Sequence, residues 1–250
     1  MILGLSATPF RTDDDEAHRL AGRFDRMWLP KDQEGLHVRL SCDGILASAT
    51  IEAWDSGFGL LAAEEQRLSE LTEGPTDEPA AWEESSALQL LLNQINDRFG
   101  LDQDRTEKIA SLIEKRPDDE RTLLFANSVQ HAEYLSLLLN RRGILSAPIS
   151  GDTPTPTRRH FLAQFNRGEL RVLCNHTVLS TGFDTPKTDM ILITRQVFSP
   201  VRYMQMVGRG LRGPRNGGTE RCTILTVKDN FGRFGDRLAY HYCRRFFEAE

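Results

Sequence analysis

Arg121-Thr-Leu-Leu-Phe-Ala126 is a short apolar run after the charged turn Pro117-Asp-Asp-Glu120, and it reads as a buried strand. Ser128 is positioned to cap a following helix, whose apolar positions Ala132, Leu135, Leu138 and Leu139 recur at helical spacing. Gly143 stops that helix, and Ile144 to Ile149 supplies a second strand. Thr153-Pro-Thr-Pro156 opens another helix, with Phe161, Leu162 and Phe165 on its apolar face and Gly168 at its end. Leu170-Arg-Val-Leu-Cys174 and Met190-Ile-Leu-Ile-Thr194 are strand-like, a helix is expected from about Pro200 to Leu211, and Cys222-Thr-Ile-Leu-Thr-Val227 closes the series. Short alternating units of strand and helix predict an α/β fold, a parallel sheet covered by helices on both faces.

Upstream the pattern changes. Glu64 to Glu84 is acidic and polar, and Gly74-Pro-Thr-Asp-Glu-Pro79 reads as a loop or linker. Two helices are expected after it, over Ala87 to Ile95 and Thr106 to Lys115. Residues 31–120 are therefore expected to be a mostly helical acidic segment, separate from an α/β domain over 121–250.

The chain has 250 residues, of which 39% are hydrophobic and 27% charged, a globular composition. No apolar run approaches the roughly 18 residues of a membrane span, and Met1-Ile-Leu-Gly-Leu5 lacks the basic start of a signal peptide. Cys42, Cys174, Cys222 and Cys243 are far apart with no CxxC pairing, as in a cytoplasmic protein with reduced thiols. The histidines show no HxxxH spacing, so no metal site is expected. Net charge is −5, but residues 1–170 carry −11 and residues 171–250 carry +6. Eleven of the 13 cations in that last stretch are arginine, whose planar fork suits phosphate. A solvated charged face would account for the same composition.

Four short signatures occur in order: Leu5-Ser-Ala-Thr-Pro9, Leu123-Leu-Phe-Ala126, Val178-Leu-Ser-Thr-Gly-Phe-Asp-Thr-Pro186 and Gln205-Met-Val-Gly-Arg-Gly-Leu-Arg212. The first two are common by chance. The last fixes Gln, Gly, Arg and Arg at the spacing Q-x-x-G-R-x-x-R, and the ordered set is specific. In this set the sequence resembles the superfamily 2 helicases, the DEAD/DEAH-box-related nucleic-acid-dependent ATPases, over residues 1–11 and about 121–230. Its wording is closest to bacterial DNA-repair and restriction-type members. In that family the four signatures are motifs III, IV, V and VI.

The resemblance implies a RecA-like fold over 121–250, with residues 1–30 left as the tail of a first RecA-like domain. It also implies an ATP cleft between two such domains. Arg212 would be the arginine finger, with Arg209 beside it and Gln205 contacting the nucleotide or the partner wall. Gly182, Asp184 and Gly208 would bind nucleotide, while Ser6, Thr8 and Thr181 would couple hydrolysis to strand movement. Spacing three apart suggests that Arg209 and Arg212 share one helix face. Gly151 in the turn after the second strand, with Arg158 and Arg159 nearby, is a candidate contact to a nucleic-acid phosphate.

A P-loop is absent from the sequence. Of five lysines only Lys187 precedes Ser or Thr, and Pro186 stands before it. Asp15-Glu-Ala-His18 spells a DEAH box, but it lies after motif III with no strand before it, and it reads as an acidic helix start. The expected function is therefore one part of an ATP-dependent helicase or translocase using ATP and Mg²⁺. The expected partners are DNA and a P-loop RecA-like domain in cis or in trans, and the isolated chain is expected to be inactive. The alternatives are a non-catalytic nucleic-acid-binding or interaction module serving a separate ATPase chain, and a decayed gene product.

Overall fold

A computed structural model describes residues 36–72, 85–176, 185, 187–244 and 247. Among them, β1 (Ser48–Gly59), β2 (Thr122–Phe125), β3 (Ser146–Ile149), β4 (Val172–Asn175), β5 (Met190–Ile193) and β6 (Arg221–Asn230) form one sheet in the order β1-β6-β5-β2-β4-β3. Every pairing is parallel; Leu123, for example, stands beside Leu173 on one side and Ile191 on the other. Strands β2, β4 and β5 are buried at every residue, which explains why their sequences are continuous apolar runs with no alternation.

Helices cover both faces: α1 (Leu36–Cys42), α2 (Ala62–Thr72), α3 (Ser86–Leu101), α4 (Gln103–Glu114), α5 (Val129–Arg141), α6 (Thr155–Arg167), α7 (Pro200–Val207) and α8 (Ala239–Cys243). Their starts follow local chemistry. The side chains of Ser85, Asp102, Ser128 and Ser199 accept hydrogen bonds from Leu88, Arg105, His131 and Arg202 backbone N–H groups, capping α3, α4, α5 and α7. Gly168, left-handed at φ 77°, ends α6.

Alternate strand residues feed two cores. Leu123, Phe125, Leu173, Ile191, Ile193 and Ile224 face Phe165, Tyr203, Val207 and Tyr240 on the α6–α7–α8 side. Leu124, Val172, Cys174, Leu192 and Leu225 face Ile109, Ile113, Leu135 and Leu139 on the α4–α5 side. Each such aliphatic side chain contributes about 1.5–3 kcal/mol by leaving water. A third cluster, with Leu68, Leu92, Phe99, Phe198 and Phe231, joins α2 and α3 to the far end of β6.

The segment expected to be mostly helical contributes a sixth strand. β1 pairs with β6 in register from Ser48–Arg221 to Asp55–Lys228. Its Ala49 and Ile51 pack on the α7–α8 side and its Trp54 on the other. β-branched Thr50 and Ile51 and aromatic Trp54 and Phe58 suit a pleated edge, while exposed Thr50, Ala53 and Asp55 face water. The described residues after β6 fold against the domain, burying Phe234, Tyr240 and Phe247.

Candidate functional site

Helix α7 buries Tyr203, Met206 and Val207 and leaves Gln205 exposed. It ends earlier than its sequence suggests. Gly208 N–H donates to Met204 O at 2.8 Å, but Arg209 and Gly210 N–H turn to the carbonyls three residues back, Met206 and Val207, at 3.2 and 3.1 Å. Leu211 is buried, and Arg212 is an extended residue bridged antiparallel to Leu46. Arg209 and Arg212 therefore do not share a helix face: one lies in a turn, the other on a bridge. Gly210 is the tightly packed glycine of this turn: a Cβ there would sit 2.7 Å from Ile191 Cδ1 and 3.1 Å from Cys222 Sγ. Gly208 itself is exposed.

Gly151, Arg158 and Arg159 lie at the opposite ends of the strands. Helix α7 follows the end of β5 and leads back to the start of β6, so Arg212 reaches the amino edge of the sheet. Its bridge partner Leu46 is two residues before Ser48, which pairs with Arg221, the first residue of β6. Gly151 follows β3 on the carboxyl edge. There Arg158 donates to the carbonyls of Ser150, Gly151 and Thr153 at 3.1–3.2 Å, so it braces that turn from inside. Arg159 is exposed beside it. Ser6, Thr8, Thr181, Gly182 and Asp184, and the letters Asp15 to His18, lie outside the described residues.

A buried polar network on the carboxyl edge had no signal in the sequence. Arg105 is fully buried and forms a two-pronged ion pair with Asp229 at 2.9 Å on each prong. It also donates to Asn127 Oδ1 at 3.2 Å and to the Thr194 carbonyl. Gln196 and Ser56 donate to Asp229 as well. Asn96 accepts from the side chain of Asn127 at 3.1 Å and from Gln196 N–H at 2.9 Å. The network thus ties the ends of β1, β2, β5 and β6 to α3 and α4. Its two ionic partners are 124 residues apart, beyond the reach of local pattern.

His131 completes this edge. Its Nδ1 accepts from Asn127 N–H at 3.2 Å, so the neutral ring holds its proton on Nε2, 3.4 Å from Thr106 Oγ1. Burial, with Arg105 and His176 adding repulsion, pushes its pKa down to about 3. Burial and Arg195 bring His176 down to about 4. Burial pushes the Cys174 and Cys222 thiols up to about 12, so neither is a nucleophile at neutral pH.

Residues 104–213 match the family described as "Helicase conserved C-terminal domain". The chain is 36% identical to IRC3 of Saccharomyces cerevisiae over 91 residues, 36% of this chain and 13% of that one. It is 31% identical to the pre-mRNA-processing ATP-dependent RNA helicase PRP5 of Kluyveromyces lactis over 137 residues, 54% of this chain and 15% of that one. The chain thus spans a small part of the length of either relative. Among solved structures, Dbp5 of S. cerevisiae bound to RNA and ADP BeF3 matches at 16% identity with a TM-score of 0.50, covering 98% of this chain and 49% of that one, a likeness of fold alone. Residues 104–213 thus match the helicase C-terminal domain family, and the parallel sheet with helices on both faces is RecA-like. No described helix is long and apolar enough to cross a membrane.

Proposed function

We propose that this chain forms one wall of the ATP cleft of a nucleic-acid-dependent helicase or translocase, and that a P-loop RecA-like domain, in cis or in trans, forms the other. Phosphoryl transfer depends on positioning and charge stabilisation more than on covalent chemistry from the protein. Arg212 is the finger that meets charge on the γ-phosphoryl group as the walls close, with Arg209 beside it and Gln205 at the nucleotide or the facing wall. Gly208, Gly182 and Asp184 contact the nucleotide, and Ser6, Thr8 and Thr181 link the cleft to the nucleic acid. The described residues contain no group of three or more His, Cys, Asp or Glu that could hold a metal, so Mg²⁺ is assigned to the P-loop wall.

The observation that carries this reading is the fixed backbone from Gln205 to Arg212, which runs from a half-buried helix through a turn packed on β5 and β6 to a paired residue. In the complete helicase, Arg212→Ala should lower ATP turnover by roughly 10³-fold or more while sparing nucleic-acid binding. Turnover within tenfold of wild type would exclude Arg212 as the finger. The 250-residue chain alone should hydrolyse no ATP above background.

Nucleic acid is assigned to the carboxyl edge, through the Gly151 turn that Arg158 braces and through Arg159. The relatives' names favour RNA over the DNA expected from the motif wording, since PRP5 is named as an RNA helicase. Fluorescence anisotropy with single-stranded RNA and DNA of one sequence, titrated with this chain, decides between them.

A further inference from the structure

The turn-and-bridge that presents Arg212 is held from an unexpected direction, by the polypeptide that precedes the sheet. Leu46 and Arg212 form the opposed pair of a short antiparallel bridge, flanked by Ala47 N–H to Leu211 O at 3.1 Å and Gly213 N–H to Ile45 O at 3.0 Å. Arg215 N–H then donates to Gly44 O at 3.0 Å, and Asn216 Nδ2 to Ile45 O at 2.9 Å. The carbonyl of Arg212 accepts from Thr219 N–H at 3.0 Å, closing the loop on its own stem. Two glycines make the fit possible. A Cβ at Gly213 would lie 2.4 Å from Gly44 O, and one at Gly218 would lie 1.9 Å from Arg212 O. Both obstacles are main-chain atoms, which no rotamer change can move aside.

Segment 44–47 is in turn built onto the end of α1. Gly44 N–H donates to Ser41 O at 2.9 Å, Ile45 and Leu46 N–H both donate to Leu40 O at 2.9 and 3.1 Å, and Ser41 Oγ donates to Ala47 O at 3.2 Å. Helix α1 rests on the tail of the domain through His37, whose ring meets Phe247 edge-on at 5.0 Å. A continuous run of main-chain hydrogen bonds therefore leads from the helix that opens the described chain to the backbone of Arg212.

We propose that residues 44–47, with Gly213 and Gly218, are a positioning element for Arg212: the chain arriving through α1 sets how far the arginine reaches into the ATP cleft. This inference rests on the assignment of Arg212 as the finger. A small displacement suffices, because misplacing a catalytic group by about 1 Å can cost 10²-fold in rate. Residues 44–47 touch neither nucleotide nor metal on this reading; they act through the backbone of Arg212.

The test uses the complete helicase with four variants. Gly218→Ala drives a methyl group into Arg212 O, and Ala47→Pro deletes the N–H that holds Leu211 O. Gly235→Ala is the control, because a Cβ there meets nothing within 4 Å. Arg212→Ala is the reference. Gly218→Ala and Ala47→Pro should each lower kcat by on the order of 10²-fold, with KM for ATP and affinity for nucleic acid changed less than about twofold. Combined with Arg212→Ala, neither should lower kcat further, because the group they position is gone. Gly235→Ala should match wild type. Amide exchange at Gly213 and Thr219 in the 250-residue chain should rise in Ala47→Pro, a readout independent of turnover. The inference is overturned if Arg212→Ala abolishes turnover while both clamp variants keep wild-type kcat, or if their losses add fully to that of Arg212→Ala. Should Arg212→Ala itself turn over normally, the finger assignment falls and this inference with it.

Discussion

The two ends of the sheet are held together by different means. At the carboxyl edge, charge is turned inward: Arg105 and Asp229 are sealed in the core and satisfied by Ser56, Asn127, Thr194 and Gln196. At the amino edge the main chain carries the load, through the Leu46 bridge and glycines that admit backbone against backbone, while Arg212 stays at the surface. A buried ion pair fixes a scaffold and is consumed in doing so. A residue that must meet a ligand is better fixed through its backbone, which leaves its side chain at the surface.

The sharpest way to break this contrast is at Arg105. Arg105→Met should cost about 3–5 kcal/mol, because Asp229 is left charged and buried without its ionic partner. Urea unfolding reads the loss directly, and a cost below 1 kcal/mol would mean that water reaches Asp229.

Acid should act on the same edge next. His131 and His176 stay neutral in the folded chain until about pH 3 and 4, whereas unfolded imidazoles take protons near pH 6.5. The unfolded state then binds more protons throughout that window, so stability is full above pH 6.5 and falls as pH drops toward 4. Buried His131 contributes roughly 1.4 kcal/mol per pH unit, and half-exposed His176 contributes less because solvent screens its charge. Unfolding at pH 7 and pH 5 should show the slope, and His131→Gln should flatten it; an unchanged slope would place the acid sensitivity elsewhere.

At the amino edge, Gly210→Ala presses a methyl group onto the side chains of Ile191 and Cys222 and should cost about 1–3 kcal/mol as overpacking. A melting temperature equal to wild type would show that this contact relaxes freely. The smallest effect is expected at exposed Arg159. Arg159→Ala should reduce the slope of log affinity against log salt by about one for nucleic acid, with stability unchanged. An unchanged slope would remove Arg159 from the nucleic-acid face.

Most of the β2-to-β5 half was legible because its signals are local. Leu123 to Phe125 and Met190 to Ile193 are continuous apolar runs, Ser128 caps α5 from its own sequence position, and Gly168 ends α6 where a left-handed residue is needed. The motif from Gln205 to Arg212 was equally visible, but its shape was not. Helix periodicity extends past Val207 in the sequence, and the packing of Gly210 on Ile191 turns the chain out of the helix. Strand β1 escaped because its alternation breaks at Ala53-Trp54 and its partner β6 lies more than 160 residues downstream. Sequence separation likewise hides the Arg105–Asp229 pair, 124 residues apart, and the Gly44–Ala47 clamp, whose residues carry no local pattern.

That separation has a consequence for how the molecule is made. Strand β1 is synthesised before every other strand described, yet the strand it pairs with, β6, is synthesised last. Contacts of such high sequence separation are slow to form, since a long loop must close before any pairing rewards it. During translation Ser48–Gly59 has no seat, and Leu46 has nothing to bridge. The amino edge, with Arg212 upon it, is completed only after β6 has left the ribosome, so a product cut short before β6 would hold the central strands without the fixed arginine.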